Sequence, residues 1–325
     1  MVGCGGRANV HALAATRRSD LEIAYWLDVD REKAQKLATQ YQGQVAPSWD
    51  AVLENNKING VVVALPHHLH FDYGMQAIRS GKHVMMEIPI AATPEQAREM
   101  IAAAEHAGVV LLVLHSLRFW RSHQTIAKQI ASGMLGKPIF ARYHNEHTVP
   151  TDYFALQPGQ FAAEAGILHH GDIMRWWVGE VKAVLARGLS VGPTARKHST
   201  FDHITVLYDI ADNALGETTC SWVTKVCAQN QMVRGSVSCQ DGTVVLTWND
   251  EIRIFSPDGQ LANGERFAMF HPGGPDGPRD EIGHFADCIR GACAPLVTPK
   301  DALCALELTL AARASAREGQ RIVLI

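Results

Sequence analysis

The chain has 325 residues, 47% of them hydrophobic, so it is long enough for two domains with separate cores. Its formal net charge of −3 gives no indication of nucleic-acid binding or of attraction to an anionic membrane. Its longest apolar run, around residues 107–114, is far shorter than a membrane span. Seven scattered cysteines without a Cys-x-x-Cys pair are typical of reduced thiols and predict a cytoplasmic protein.

The first residues predict a strand-to-helix turn that binds a dinucleotide. Gly3 allows a tight bend, Gly5 and Gly6 let the backbone approach a pyrophosphate, and the small Ala8 allows helix and strand to pack closely. The acid expected about 20 residues later is Asp28. Its carboxylate can accept from both ribose hydroxyls and would repel a 2′-phosphate, so NAD is predicted over NADP.

The strand before this turn is almost missing, because only Met1 and Val2 precede Gly3. Two residues cannot form the central strand of a sheet. We therefore expect either that the natural chain begins upstream or that the protein is unstable. A Gly-rich turn of this kind also occurs by chance in proteins that bind no dinucleotide.

Residues 1–120 alternate between helices and strands. Thr93-Pro94-Glu95-Gln96 is a strong helix start, with a capping Thr and a Pro in the first turn. Helices of 10–15 residues between short apolar runs predict right-handed βαβ units and a doubly wound parallel sheet, a Rossmann domain. The predicted strands are 60–65, 83–87 and 109–114, and the predicted helices are 30–41, 48–53, 70–80 and 93–106.

Residues 121–325 predict a second, α+β domain with a large, mostly antiparallel open sheet. Alternating apolar and polar residues mark strands at 204–208 and 243–248. A segment rich in Pro, Gly and Asp, 256–280, predicts a loop. The predicted helices are 122–131, 172–178, 281–290 and 301–318.

One face of this second sheet should lack helices. An extended apolar face does not stay exposed to water. The strands near Ile204, Cys220 and Val244 supply apolar residues for it. We therefore expect a homodimer or homotetramer that forms through this sheet.

Several motifs resemble the Gfo/Idh/MocA family (glucose–fructose oxidoreductase, inositol dehydrogenase, rhizopine catabolism) when they are taken together and in order. The resemblance covers nearly the whole chain. It implies a Rossmann domain followed by an α/β domain whose open sheet commonly forms the oligomer interface. It also implies an NAD(P)-dependent oxidoreductase that acts on small sugars, cyclitols or related hydroxy compounds. The motifs are Gly3–Ala8 with His11, Ala64–His70, Glu87-Ile-Pro89, Ser132–Pro138 and Ser315–Gly319.

The resemblance also implies which residues bind the cofactor beyond the opening turn. Pro66 and His70 follow one strand, and Glu87 and Pro89 follow the next. Ligands of such sheets bind beyond the carboxyl ends of the strands, where these residues stand. The resemblance further implies a cis peptide bond between Ile88 and Pro89.

The catalytic positions depart from the family pattern. The family has a Lys where Ile88 stands, and an Asp where Ala165 stands, whereas His169 and Asp172 match the pattern. The resemblance therefore implies His169 and Asp172 as the catalytic pair. Some members with Glu-Ile-Pro resemble a dehydrogenase of a carboxy-hydroxymuconate semialdehyde, which reacts as a cyclic hemiacetal. A hemiacetal hydroxyl is acidic enough for a lone His to be an adequate base.

Other interpretations of these residues remain open. Arg118, Glu164 and His170 are candidate substrate contacts, although Arg118 could equally form an ion pair. His169 could be a structural histidine, and Asp172 could cap a helix. Without the usual Lys and Asp, the chain could also be a non-catalytic NAD(P)-binding regulator or sensor.

A metal site is the last alternative. His67, His68 and His70 could bind zinc together with His144 and His147. The family motif already accounts for His70, and no Cys or acid completes an obvious set of ligands. No metal is therefore predicted.

Overall fold

The computed structural model describes residues 1–146, 162–223, 232–247, 251–255, 261–266 and 280–324. It divides the chain into two units. Unit 1 is Met1–Phe119 with Pro278–Leu306, and unit 2 is Trp120–Gly277 with Glu307–Ile325. The sequence predicted two contiguous domains, whereas in the structure Pro278–Leu306 returns to unit 1. Among the described residues, no helix is both long and apolar enough to cross a membrane.

The elements follow one another along the chain. The helices are α1 (Gly6–Ala15), α2 (Arg31–Tyr41), α3 (Trp49–Glu54), α4 (His70–Arg79), α5 (Pro94–Ala107), α6 (Arg121–Ala131), α7 (Ala162–Trp177), α8 (Pro193–Lys197), α9 (Glu281–Ile289) and α10 (Pro299–Glu318). The strands are β1 (Tyr25–Trp26), β2 (Gln44–Val45), β3 (Gly60–Val63), β4 (His83–Met86), β5 (Leu111–Val113), β6 (Pro138–Glu146), β7 (Val181–Leu189), β8 (His203–Ile210), β9 (Ala214–Ser221), β10 (Met232–Cys239), β11 (Thr243–Leu246), β12 (Glu251–Phe255), β13 (Leu261–Arg266) and β14 (Ile322–Val323).

Unit 1 contains the predicted parallel sheet. β1 pairs with β2, and β3, β4 and β5 pair in that order, all of them parallel. Val2 forms parallel bridges with both Leu27 and Val63, so the first residues lie between β1 and β3. The direction of winding reverses at this point. In doubly wound sheets, this switch point is where ligands bind.

Side-chain caps explain where the helices of unit 1 begin. The side chain of Asp30 accepts from the N–H groups of Glu32 and Lys33 and caps α2. Ser48 and Thr93 cap α3 and α5 in the same way. Each cap satisfies a backbone donor that the helix itself leaves unpaired and contributes about 1 kcal/mol. The three predicted helix starts are confirmed.

Unit 2 contains the predicted large sheet. Within the described residues its nine strands lie in the order β13-β12-β11-β10-β6-β9-β8-β7-β14. Among these described strands, β6 and β9 are the one parallel pair, and the other pairs are antiparallel. Strand β13 falls within the predicted loop 256–280, because pairing with β12 outweighs its Asn-Gly turn signal. The rest of that predicted loop, up to residue 279, lies outside the described residues.

Helix α7 packs against the buried face of this sheet. A Cβ on Gly166 would overlap the sulfur of Cys220 on β9, so the glycine allows the helix to approach the strand closely. The predicted helix 172–178 began ten residues too late. The stretch Ala162-Ala-Glu-Ala-Gly166 has no hydrophobic periodicity and contains a glycine, so the helix propensity of its Ala and Glu residues was the one signal for a helix there.

The exposed face of the sheet is the opposite of the predicted one. Ile204, Cys220 and Val244 are buried. Leu185 and Leu207, which are register partners, are exposed instead, as is Leu215. Both faces carry apolar residues, so alternation alone could not tell which of them a helix covers.

Candidate functional site

The opening turn of unit 1 has the geometry that a pyrophosphate requires. Gly3 has a φ of 85°, and a Cβ there would overlap the carbonyl oxygen of Ala64. Gly5 caps α1 without a side-chain hydrogen bond. A Cβ on Gly5 or Gly6 would meet no atom within 4 Å, so the backbone N–H end of the helix faces open space. Ala8 is fully buried beneath it. These residues fit a dinucleotide at the helix N-terminus.

Asp28 is held beside this turn by the backbone. Its Oδ2 accepts from the N–H of Cys4 at 2.7 Å, and its Oδ1 accepts from the N–H of Asp30 at 2.8 Å. Each carboxylate oxygen has two lone pairs, so both keep one for a ribose hydroxyl. The placement fits the predicted ribose-binding role.

His70 connects the ends of two strands. Its Nδ1 lies 2.7 Å from the carbonyl oxygen of Pro89, and its Nε2 lies 2.9 Å from that of Leu65. Burial lowers the pKa of His70, whereas the two carbonyl oxygens raise it. The side chain is almost fully buried, so His70 positions the turns that carry Pro66 and Pro89. The structure thus shows His70 in contact with the backbone of both turns, and its contact with the cofactor stays a prediction.

The peptide bond between Ile88 and Pro89 is cis, as predicted. It follows β4 at the carboxyl edge of the sheet. Pro66 follows β3 at the same edge, where it precedes a short 3₁₀ segment, His67–Leu69. Both prolines are therefore located where the resemblance places cofactor-binding residues.

Glu87 lies in a network with two basic side chains from α1. Its Oε1 accepts from Nε of Arg7 at 2.7 Å and lies 2.8 Å from Nε2 of His11. Burial by itself raises the pKa of Glu87, but the charge of Arg7 and the hydrogen bond with His11 outweigh it and bring the pKa to about 2. Glu87 is therefore ionised across the whole physiological range.

A second carboxylate completes this network. Oε2 of Glu281, in the first turn of α9, lies 3.4 Å from Nη2 of Arg7 and 3.5 Å from Nδ1 of His11. Glu281 is completely buried and His11 nearly so. Sequence analysis missed Glu281, because it stands 194 positions after Glu87 and the fold brings the two residues together.

Arg118 forms the ion pair that was the alternative to substrate binding. Its Nη1 donates to the carbonyl oxygen of Leu296 at 3.1 Å and lies 3.3 Å from Oδ2 of Asp301. The side chain is only 7% exposed. The structure thus shows the ion pair with Asp301, and the substrate contact of Arg118 stays a prediction.

Helix α7 of unit 2 carries the predicted catalytic residues. Ala165, His169 and Asp172 are spaced by four and three residues, so they share one face of the helix. His169 is half-buried and Asp172 is fully buried. Asp172 lies in the interior of α7, so the helix-cap interpretation is wrong. Glu164 lies in the first turn, and its side chain is outside the described part of the chain.

His170 lies on a different face of α7 from His169. Its ring contacts Tyr143 edge to face, with centroids 4.8 Å apart, and it is fully buried. It therefore packs inside unit 2, and its contact with a substrate stays a prediction.

His70 was one of five histidines considered as zinc ligands from the sequence. Both ring nitrogens of His70 face carbonyl oxygens. In unit 2, Nε2 of His144 lies 3.3 Å from Glu217, and His147 is outside the described residues. His70 is therefore not available for the zinc site considered from the sequence.

The Glu87 network leads to a prediction about acid stability. A carboxyl group with a lowered pKa in the folded state stabilises the protein above its unfolded pKa, ordinarily 4.5, and loses this contribution as the pH falls towards 2. A pKa difference of this size corresponds to about 3 kcal/mol. In Glu87→Gln, the free energy of unfolding should therefore decrease less than in the unchanged protein as the pH falls between these values.

Urea unfolding at a series of pH values measures this effect. Glu105→Gln is the matched control, because Glu105 is an exposed acid on α5. If the free energy of unfolding depended on pH in the same way in Glu87→Gln and in the unchanged protein, the network would not lower the pKa of Glu87.

Comparisons with known proteins agree with this geometry. The profile "Oxidoreductase family, NAD-binding Rossmann fold" matches residues 1–115, and the "GFO/IDH/MocA C-terminal domain" matches residues 123–245. The chain is 26% identical to the 1,5-anhydro-D-fructose reductase of Ensifer adhaerens, over 98% of this chain and 96% of the relative. It is 24% identical to the scyllo-inositol 2-dehydrogenase (NAD(+)) of Bacillus subtilis (strain 168), over 84% and 80%.

A solved structure has the same fold over both units. It is the WlbA dehydrogenase from Bordetella pertussis in complex with NADH and UDP-GlcNAcA, with a TM-score of 0.82, 24% identity, and coverage of 100% of this chain and 97% of that one. The two family profiles together cover most of the chain. The chain therefore belongs to the Gfo/Idh/MocA oxidoreductase family, and its first part is the family's NAD-binding Rossmann domain.

Proposed function

We propose that the protein transfers a hydride between NAD and a carbinol carbon of a small sugar, cyclitol or cyclic hemiacetal. The observation that carries this proposal is the open N-terminus of α1 after Gly3 and Gly5, with the carboxylate of Asp28 beside it. The two relatives named above are a reductase of an anhydro sugar and a dehydrogenase of an inositol, which supports a polyhydroxy substrate.

The bound nicotinamide supplies the hydride acceptor or donor. The chain's own residues bind and orient the cofactor: the N–H groups at the start of α1 bind its pyrophosphate, and Asp28 accepts from its ribose hydroxyls. The network of Glu87, Arg7 and His11 fixes the carboxyl end of β4, where Pro89 stands.

We assign the proton transfer to His169. Ile88 and Ala165 cannot titrate, so His169 is the acid or base that still matches the family pattern. The neutral imidazole would accept the hydroxyl proton during oxidation and return it during reduction. Asp172 stands one turn later on the same helix face and is fully buried, so we assign it the positioning of His169.

Cofactor choice provides the first test of the function. Asp28 should make NADH bind at least about tenfold more tightly than NADPH, a difference of roughly 1.4 kcal/mol. Asp28→Ala should reduce that difference, because it removes both the ribose acceptor and the charge that opposes a 2′-phosphate. Calorimetry with both cofactors measures it, with Asp50→Ala on α3 as the control. Equal affinities in the unchanged protein would remove Asp28 from this role.

The acid/base role provides the second test. His169→Ala should lower the rate of turnover by roughly 10²–10⁴-fold, the usual contribution of a positioned acid or base. NADH affinity should stay nearly constant. The rate of oxidation should rise with pH through a single ionisation near that of histidine, because the base must be neutral. The control is His198→Ala, at the exposed end of α8. Full turnover in His169→Ala would show that the proton moves elsewhere.

A regulatory protein of the same fold is the second candidate function. It is favoured by Ile88 and Ala165, which replace the two titrating residues of the family pattern. A screen of sugars, inositols and semialdehydes for absorbance change of the nicotinamide separates the two functions. Tight NADH binding without turnover on any of these classes would favour the regulator.

We also propose that the protein forms a homodimer or homotetramer through the exposed face of the unit 2 sheet. Leu207 and Leu215 are each about half exposed there, and Arg142 pairs with Glu217 on the same face at 3.2 Å. The double variant Leu207→Glu, Leu215→Glu should be monomeric by light scattering, since it buries charges in the interface. Met134→Glu, in a turn away from the strands, is the control. A monomeric parent protein at micromolar concentration would contradict this assembly.

We further propose a cytoplasmic location. The six cysteines within the described residues are free thiols, which supports a reducing compartment. Recovery of the protein in the periplasmic or extracellular fraction would refute it.

A further inference from the structure

The end of α9 brings three reactive side chains together in unit 1. The sulfur of Cys288 lies 3.7 Å from the sulfur of Cys293. Nε2 of His284 lies 3.5 Å from the Cys288 sulfur, and its Nδ1 lies 3.6 Å from the Cys293 sulfur. Cys288 is buried and Cys293 is exposed. The group is thus a thiol pair with one member inside the core, the other at the surface, and an imidazole beside both.

The turn after α9 produces this arrangement. The N–H of Gly291 donates to the carbonyl oxygen of Cys288, and the N–H of Ala292 donates to that of Asp287. Gly291 has a φ of 73°, a conformation that glycine adopts without strain. The chain therefore folds back over the last turn of the helix and places Cys293 next to Cys288.

A backbone hydrogen bond determines the tautomer of His284. The N–H of Leu296 donates to Nε2 at 2.9 Å, so Nε2 carries a lone pair. Burial lowers the pKa of His284, so the ring is neutral near pH 7 and its proton is on Nδ1. That N–H lies 3.6 Å from the sulfur of Cys293, to which it can donate a hydrogen bond.

The same hydrogen bond argues against a metal ion. The three side chains are a possible ligand set, because their ligand atoms all lie within 4.8 Å of one another. A histidine that binds zinc normally donates its other ring N–H to an acceptor. If zinc bound Nδ1 of His284, the ring proton would be on Nε2, where it would face the N–H of Leu296 instead of an acceptor. If zinc bound Nε2, the hydrogen bond from Leu296 would be lost. The geometry thus favours thiol chemistry.

We propose that Cys288 and Cys293 form an oxidisable dithiol, a modification site that a hydroperoxide converts to a disulfide. In the first step the Cys293 sulfur attacks a peroxide oxygen and the O–O bond breaks. This gives a sulfenic acid on Cys293, and the leaving oxygen takes a proton to become water or an alcohol. In the second step the Cys288 sulfur attacks the Cys293 sulfur. The hydroxyl leaves with the Cys288 proton as water, so two thiols are oxidised and one peroxide is reduced.

The positions of the sulfurs suit this order of steps. Burial and the neighbouring Cys293 raise the pKa of Cys288 to about 12, so Cys288 stays a thiol while the exposed Cys293 meets the oxidant. A disulfide needs a sulfur separation of about 2.0 Å, so the pair must close by less than about 2 Å. The turn around Gly291 lies between the two cysteines and can absorb that movement.

The test is oxidation of the whole protein by hydrogen peroxide, followed by alkylation and peptide mass mapping. Two of the seven thiols should be lost, both in the peptide with residues 288–293, and dithiothreitol should restore them. In Cys288→Ser, oxidation should stop at a sulfenic acid on Cys293 that a dimedone reagent traps. In Cys293→Ser, Cys288 should remain reduced. Cys304→Ser, on α10, is the matched control and should oxidise like the unchanged protein.

His284 has a separate test. His284→Gln keeps an acceptor for the Leu296 N–H but lacks the Nδ1 proton, so Cys293 should be alkylated about tenfold more slowly near pH 7. Unchanged reactivity in this variant would remove the imidazole from the site.

Two results would overturn the proposal. One is oxidation spread evenly over the seven thiols, or a sulfenic acid on Cys293 that persists while Cys288 is present. The other is anaerobically purified protein that carries one equivalent of zinc, lost in Cys288→Ser. The second result would make the group a metal site.

Discussion

Two carboxylates lie beside the dinucleotide turn, and the placement of the surrounding elements depends on how their charge is balanced. Burying one ionised carboxylate without a partner costs several kcal/mol, and two would repel each other. Arg7 and His11 both come from α1, and each lies between Glu87 after β4 and Glu281 on α9. The helix that starts at the pyrophosphate-binding turn is therefore fixed to the sheet edge and to α9 by the same four side chains.

This balance also explains the return of the chain to unit 1. Helix α9 contributes Ile282 and Phe285 to the core cluster that contains Ala8 and Trp26. Its first turn supplies Glu281 to the buried network. Helix α9 therefore stabilises unit 1 in two ways: it buries the apolar side chains of Ile282 and Phe285, and it places the carboxyl group of Glu281 next to basic partners. Two contiguous domains would lack these contacts in the first domain.

The sequence predicted those features that depend on neighbours along the chain. The caps Asp30, Ser48 and Thr93 and the turn at Gly3 act within a few residues, so their residue types reveal them. Features that depend on tertiary contacts were missed. Nothing in the sequence near Glu281 indicates its partners. The start of α7 was missed because it contains Gly166, a glycine that is needed for close packing against Cys220. The roles of Arg118 and His70 also depended on burial, which local sequence does not specify.

The departure at Ile88 is consistent with the charges around it. A family lysine at that position would add a cation next to Glu87, but Arg7 and His11 already compensate this carboxylate. An apolar residue there therefore leaves no buried charge unpaired, and the cofactor-binding edge is retained. What is lost is a proton acceptor. If His169 is the base in the absence of this lysine, as proposed, the substrate must release its proton to an imidazole. This requirement selects hydroxyl groups more acidic than those of a plain polyol, and a cyclic hemiacetal meets it.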